Sequence, residues 1–279
     1  MRFEGFAGAA LIAVAIRGHW TRAIITGAVI LTLVSDYAAL MASLGLPLVP
    51  SSVMVKSATT AAAVSSQYGV IFGELLTSLQ ASLADRQGRI LAVAIVALIG
   101  GAICARDRPQ ARTVACAVAT TSIAHLLLGR WDWFSRYETY IMATAFAGLL
   151  IVWAPIIGTL SRRITTPGLL IFVLPFVGYT YLLDTLVTPR VARNLYEQQY
   201  QMHRFAVQYF PEPVAIIDLG WVTYRNDEYV LDLWGLGSET ARQLFNAEGR
   251  TPGPTRRMTT DAGVTYAMLY EEVFDEGLP

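Results

Sequence analysis

The sequence predicts an α-helical polytopic membrane bundle of about six spans followed by a C-terminal extracytoplasmic α/β unit. Three observations predict it. Of 279 residues, 54% are hydrophobic and only 15% charged, against about 25% charged in an ordinary soluble domain; the mean hydropathy is +0.45. Such a charge deficit leaves long uncharged runs, and long uncharged runs are membrane spans. Arginines recur in alternate short loops between those runs, and after Val187 the composition changes to alternating helix and strand patterns. Residues 1–187 are therefore expected to form the transmembrane bundle, with an outer loop at 45–89, and residues 188–279 the α/β domain.

The apolar runs fall at 5–16, 23–44, 90–105, 113–128, 139–160 and 168–187. Several are shorter than the roughly 20 residues needed to cross the hydrocarbon core untilted; flanking Trp, Tyr and Arg extend them into the interface. The first run follows Arg2 and Glu4 and is not followed by a small-residue cleavage site, so it reads as a span and not a signal peptide.

Short-loop arginines set the orientation. Arg17 and Arg22, then Arg106, Arg108 and Arg112, then Arg162 and Arg163 occupy alternate loops, which the positive-inside rule makes cytoplasmic. Residues 45–89, 129–138 and everything after Leu186 then lie outside, in a multi-pass protein of the cell membrane. This order also puts residue 1 outside, with nothing before it to carry it across. The expectation is that further spans precede Met1; the alternative is that 5–16 is a peripheral segment, leaving five spans with the other residues on the same sides.

In the outer loop, the prolines and paired serines of "GLPLVPSSVMVKS" are expected to break helix. From Ala58 to Leu83, apolar residues at Val64, Tyr68, Ile71, Leu75, Leu76 and Leu79 recur every three or four positions. That predicts an amphipathic helix, lying on the membrane surface or packed on the bundle. Beyond the bundle, Val191, Leu195, Met202, Phe205 and Tyr209 mark one helical face, stopped by Pro211 and Pro213. Runs at 214–220, 229–238 and 264–269 read as strands, and "SETARQLFN" as a helix capped by Ser238. With three strands and no terminal helix before Pro279, the C-terminal end is expected to be clipped too.

Several chemistries are disfavoured. Gly235-Leu236-Gly237 follows a strand and opens a helix, but Thr240 and Ala241 stand where a dinucleotide loop has its third glycine, so a tight turn is the better reading. His19, His125 and His203 fall in three separate regions and share no metal spacing. No GxSxG occurs. Cys104 and Cys116 read as small core residues. The zero net charge gives no pointer to nucleic acid. A transporter is disfavoured because no repeat is evident.

One stretch invites a ligand. "GRWDWFSRYETY" (129–140) places Arg130, Asp132, Arg136 and Glu138 among Trp131, Trp133, Phe134, Tyr137 and Tyr140 at the outer ends of two spans. A charge at the bilayer centre costs about 2.5–3.5 kcal/mol on insertion scales and much less at the interface. An aromatic belt with snorkelling arginines would explain most of these residues. Glu138 adds an anion that a simple anchor does not need, and Arg136-Tyr137-Glu138 repeats the pattern of Arg2-Phe3-Glu4. Two such triplets could cross-pair and hold an arginine ready for phosphate. Lys56, the sole lysine, lies on the same face, so Lys56, Arg130 and Arg136 would suit a diphosphate or phosphodiester. Glu138 would orient an arginine; Trp131, Trp133 and Tyr137 would stack on a sugar or anchor at the interface. His125, about one turn before Arg130, either faces a polar cavity or hydrogen-bonds a neighbouring helix.

"RFEG" (2–5), "LPLVPSSVMVKS" (46–57), "HLLLGRWDWFSRYETY" (125–140) and "QQYQMHRFAVQYF…VAIIDLGWVTYRNDEYVLDLWGLGS" (198–238) together resemble the later part of bacterial GT-C-fold membrane glycosyltransferases, in particular the group of cell-wall arabinofuranosyltransferases. In that family a Pro-Asn-(Ser/Thr) often precedes a lysine in the outer loop; here Pro50-Ser51-Ser52 precedes Lys56. The resemblance implies transfer of a sugar from a polyprenyl-phosphate donor, the only cofactor-like molecule expected, to an extracytoplasmic glycan or lipid acceptor. It also implies a catalytic acid in a loop upstream of the Arg-aromatic-Glu-Gly span, where this sequence has no matching position, so no catalytic residue is assigned. The alternative reading is a non-catalytic membrane scaffold or assembly subunit with an extracytoplasmic module.

Overall fold

A computed structural model describes residues 20–56, 68–131, 135–161, 166–249 and 251–269. The chain divides into two compact units, Met1–Leu48 with Ser57–Thr185, and Val49–Lys56 with Leu186–Pro279. The second unit takes a piece of the outer loop as well as the C-terminal residues. The apolar run 5–16 and the Arg2-Phe3-Glu4 triplet lie outside the described residues.

The first unit is helical. Its elements are α1 (Trp20–Ser43), α3 (Tyr68–Ala84), α4 (Arg86–Cys104), α5 (Pro109–Leu128) and α6 (Thr139–Ser161), with the start of α7 (Thr166–Leu195); α2 (Ser51–Lys56) belongs to the second unit. Among the described residues, four helices are long and apolar enough to cross a membrane: Ile24–Ser43, Arg86–Cys104, Pro109–Leu128 and Thr139–Thr159. They match four of the six apolar runs. The run 168–187 lies within α7, which is not one of the four.

Helices α4, α5 and α6 pack on one another, and α3 lies against α4 and α5. Their shared core is Leu91, Ile95 and Leu98 of α4, Ala115, Val118 and Leu126 of α5, and Ile141, Ala145 and Val152 of α6. The outer-loop helix therefore packs on the bundle along its described part, with Leu79 against that core. The apolar window of α1 is not buried at all.

The α3–α4 corner is built by two residues. Asp85 caps α4, its Oδ1 accepting from the backbone N–H groups of Gln87 and Gly88 at 2.7 and 3.2 Å, which satisfies donors the helix cannot. Gly88 lets the turn close: a Cβ there would sit 1.8 Å from the Ser82 carbonyl oxygen.

The second unit has a three-stranded parallel sheet of β1 (Val214–Ile216), β2 (Val230–Asp232) and β3 (Tyr266–Met268), in the order β2-β1-β3. All three strand runs read from the sequence are present, each shorter than expected. The central strand β1 is buried throughout, as a parallel strand covered on both faces should be. Its period of two divides the core. Ala215 and Leu231 face α9 (Glu239–Glu248) and α10 (Pro252–Asp261), through Ala241, Phe245 and Met258. Val214, Ile216 and Met268 face Ala206 and Val222 on the other side.

Two expectations need correction. Residues 44–50, with Pro47 and Pro50, interrupt the helices as expected, but the paired serines do not: Ser51–Lys56 is helical, and Pro50 starts the turn, its carbonyl accepting from Val53 and Met54. Proline is tolerated there because the first N–H groups of a helix have no partner inside it. The helix after Val187 also departs from regular spacing. Tyr196–Tyr200 and Phe205–Tyr209 are π-helical, separated by the single turn α8 (Gln201–Arg204). The i→i+5 bonds, such as Phe210 N–H to the Phe205 carbonyl at 2.9 Å, rotate the face that follows. Met202 and Phe205 do pack on the core, whereas Leu195 and Tyr209 are exposed.

Candidate functional site

Part of the predicted cluster, His125 and Trp131, folds inward. His125, in the last turn of α5, is fully buried. Its Nδ1 lies 3.0 Å from the Tyr140 hydroxyl, and its ring meets Trp131 and Tyr140 edge-on at 5.0 and 5.4 Å. Trp131 is buried, and its indole N–H donates to Ser82 Oγ at 2.6 Å; Ser82 donates in turn to the Leu126 carbonyl at 2.8 Å. This relay ties α3 to the end of α5, where backbone carbonyls lack helical partners. Of the two readings of His125, hydrogen bonding to a neighbouring helix is the one observed.

The rest of the stretch is divided. Glu138 is only 2% exposed, and its carbonyl begins α6 by accepting from Ile141 and Met142 at 3.0 Å each. Ser135, at a left-handed φ of 52°, donates to Asp184 Oδ2 at 2.6 Å, and Thr139 donates to the Ser135 carbonyl. Arg130 and Arg136 are exposed. The Arg136 guanidinium donates to the Tyr137 hydroxyl at 2.9 Å and stands 4.9 Å from that ring's centroid. Trp133 lies outside the described residues. Lys56 closes α2 in the second unit, whereas Arg130 and Arg136 belong to the first.

The second unit carries a cluster that sequence reading did not single out. Tyr196, Tyr200 and His203 line one side of the π-bulged helix, and Trp221 and Tyr224 come from the 3-10 turn (Trp221–Thr223) that follows β1. Tyr196 and Tyr200 stack at 5.3 Å. Trp221 meets Tyr200 edge-on at 5.7 Å and Tyr224 at 6.1 Å. His203 sits among them, 6.1 Å from Trp221 and 6.4 Å from Tyr224. Its Nδ1 is buried with no hydrogen-bond partner among the described residues. Tyr196, Trp221 and Tyr224 remain 61%, 40% and 53% exposed.

Polar groups border these rings. Gln199 donates its amide to Asp218 Oδ2, and Asp218 Oδ1 accepts from the Gly220 N–H at 3.3 Å. Arg225, at a left-handed φ of 49°, lies 5.3 Å from the Tyr224 centroid. Asp218 and Trp221 leave the carboxyl end of β1. That strand sends one connection to β2 on one side and receives β3 on the other, the kind of reversal beside which open α/β sheets bind ligands. The sequence hint was the spacing of Tyr196, Tyr200 and His203, an i, i+4, i+7 set off the apolar face. Nothing local pointed to Trp221 and Tyr224 as its partners.

Residues 192–278, which hold this sheet and its aromatic face, match the family described as Domain of unknown function (DUF8728). The match covers under a third of the chain. Among curated proteins and solved structures, none matches this chain.

The glycine loop after β2 has its own occupant. Asp232 is buried and accepts from four backbone N–H groups, those of Trp234, Gly235, Gly237 and Ser238, at 2.7–3.2 Å. The donors that would cradle a phosphate are already turned onto a carboxylate. Gly235 holds a φ of 81°, where a side chain is strained. Among the described residues, no three His, Cys, Asp or Glu side chains group as a metal set.

Proposed function

We propose that the chain acts in membrane glycosyl transfer, taking sugar from a polyprenyl-phosphate donor and recognising an extracytoplasmic glycan or lipid acceptor through the α/β unit. One observation carries the reading: exposed rings of Tyr196, Trp221 and Tyr224 beside the Asp218–Gln199 pair, at the carboxyl edge of the sheet. The negative face of an aromatic ring suits the C–H face of a sugar. A neighbouring carboxylate and amide suit adjacent hydroxyls. In this reading the bundle has six spans, and residues 45–89, 129–138 and 188–279 lie outside the cytoplasm. Arg130 and Arg136 serve donor phosphate.

Titrating the detergent-purified full chain with neutral envelope oligosaccharides, read by ligand-observed NMR, tests it. Binding is expected, and Trp221→Ala or Tyr224→Ala should weaken it about five-fold or more, since stacking on one ring is worth ~1–3 kcal/mol in comparable base–aromatic sites. No saturation transfer to any saccharide sinks the acceptor reading. Unchanged use of a polyprenyl-phosphate sugar after Arg136→Gln removes the phosphate role.

A second reading, a non-catalytic membrane scaffold or assembly subunit, is favoured by the internal use of Trp131, Ser82 and His125, which gives them structural duties. Saccharide binding without transfer of labelled donor sugar would select it.

A further inference from the structure

At the far end of the first unit from His125, helices α4 and α5 leave an open groove of about 290 Å³ between them. That is near the low end of the roughly 300–1,000 Å³ typical of ligand clefts, room for part of a long apolar molecule. Ala102, Ala115 and Ala119 make a buried floor, and Ile99, Ile103 and Cys116 are exposed walls. Arg106 and Arg112 stand at the mouth, where the turn between the helices ends. Arg108, from the same turn, is used elsewhere: its guanidinium donates to the Val152 carbonyl at 3.1 Å. The turn's acid, Asp107, does not line the groove.

Two features identify the occupant. The outer face of α4 continues the groove wall as an apolar stripe, with Val93 and Val96 each 70% exposed, on a helix long enough to cross a membrane. A stripe of that kind has a lipid neighbour when the helix spans a bilayer. The mouth adds two positive charges at one end of that stripe, where a lipid phosphate would lie if the helix spans. A choline headgroup would bring a cation against them; a headgroup with net negative charge would not.

We propose that this groove binds one acyl chain of an anionic bilayer phospholipid, with Arg106 and Arg112 on its phosphate. The site rests on the membrane reading of α4 and α5 and is independent of glycosyl transfer. It lies at the other end of α5 from the residues read as a donor site, so it would tie the chain to a leaflet rich in acidic lipid.

The test is native mass spectrometry of the full chain released from nanodiscs of equal phosphatidylcholine and phosphatidylglycerol. Phosphatidylglycerol should be retained preferentially. The preference should fall about five-fold for each of Arg106→Gln and Arg112→Gln, the size expected for one arginine beside an acidic leaflet. Cys116→Phe, made at an exposed wall position, should displace the lipid without disturbing the core. In parallel, phosphatidylglycerol should slow maleimide labelling of Cys116 but not of Cys104, and the double arginine variant should lose that protection. Equal retention of both lipids, or a preference that survives the double variant, overturns the site. A chain that enters no disc overturns the membrane reading and the site with it.

Discussion

Glu239 joins two stretches of the second unit that are far apart in sequence. Its carboxylate accepts from Arg242 Nε and from Ser51 Oγ, each at 2.8 Å, and from Gln243 at 2.8 Å; Arg242 Nη2 makes a further bond. The Arg242 bonds, ahead of those from Ser51 and Gln243 and against the opposing effect of burial, hold the carboxyl down at about 2. A folded pKa below the unfolded value stabilises the fold above the ordinary carboxylate range, and that contribution is lost as pH falls from about 4.3 toward 2. Acid unfolding of the full chain, followed by tryptophan fluorescence, should therefore steepen in that window, and Glu239→Gln should flatten it. An unchanged acid profile in the variant would remove Glu239 from the account. In the bundle, Gly88→Ala should cost at least the upper end of the ~1–3 kcal/mol typical of overpacking, because its Cβ would meet backbone and not a side chain that can move. Gly100→Ala, with nothing within 4 Å, should be neutral or mildly stabilising. Thermal denaturation of the two variants in detergent separates them.

The loop after β2 shows why a glycine pattern resembling a nucleotide loop is not one here. Asp232→Asn replaces one acceptor oxygen with an NH2 group amid four backbone donors, which should destabilise the unit by about 2–3 kcal/mol and speed amide exchange at Gly235–Ser238 by hydrogen-exchange mass spectrometry. Normal protection in that loop would mean the carboxylate is not what holds it. The turn reading was legible from Thr240 and Ala241, but Asp232 was not, because a side chain that satisfies its own loop has no motif. Ser82→Ala makes a related test in the bundle. The buried Trp131 N–H would lose its partner, at a cost of about 1–3 kcal/mol in thermal stability. Apolar runs and strands were legible because hydrophobic period is a local signal. Helix α10 was not: "PGPTRRMTTD" carries two prolines and buries only Pro254, Thr255 and Met258. The stretch 129–140 stood out by composition, yet only packing decides that Trp131 turns inward while Arg136 stays at the surface. The aromatic face was hidden for a further reason. Its helix changes register through two π turns, and its other rings arrive across β1.

The positive-inside argument and the helical geometry of the first unit make the same demand on the chain. Helix α4 has 19 residues, about 28 Å at 1.5 Å per residue, close to the ~30 Å hydrocarbon core. Arg86 and the Asp85 corner then belong to one end of the bundle and Arg106 to the other. The Trp131–Ser82 and Ser135–Asp184 bonds draw α3, the end of α5, the start of α6 and Asp184 of α7 to the Asp85 end. If the bundle spans a membrane, Arg106 and Arg136 must therefore face opposite compartments, with Arg106 inside by the charge rule. Both native cysteines are exposed, so Cys104→Ser with Cys116→Ser supplies a background for labelling. In intact cells, a membrane-impermeant maleimide should modify Arg136→Cys and Thr223→Cys at once. It should reach Arg106→Cys only after permeabilisation. Labelling of Arg106→Cys and Arg136→Cys from the same side would break the spanning arrangement of α4 and α5. Labelling from opposite sides but with Arg106→Cys reached first would keep the spans and invert them, and labelling of Thr223→Cys only after permeabilisation would place the aromatic face of the second unit away from any extracytoplasmic glycan.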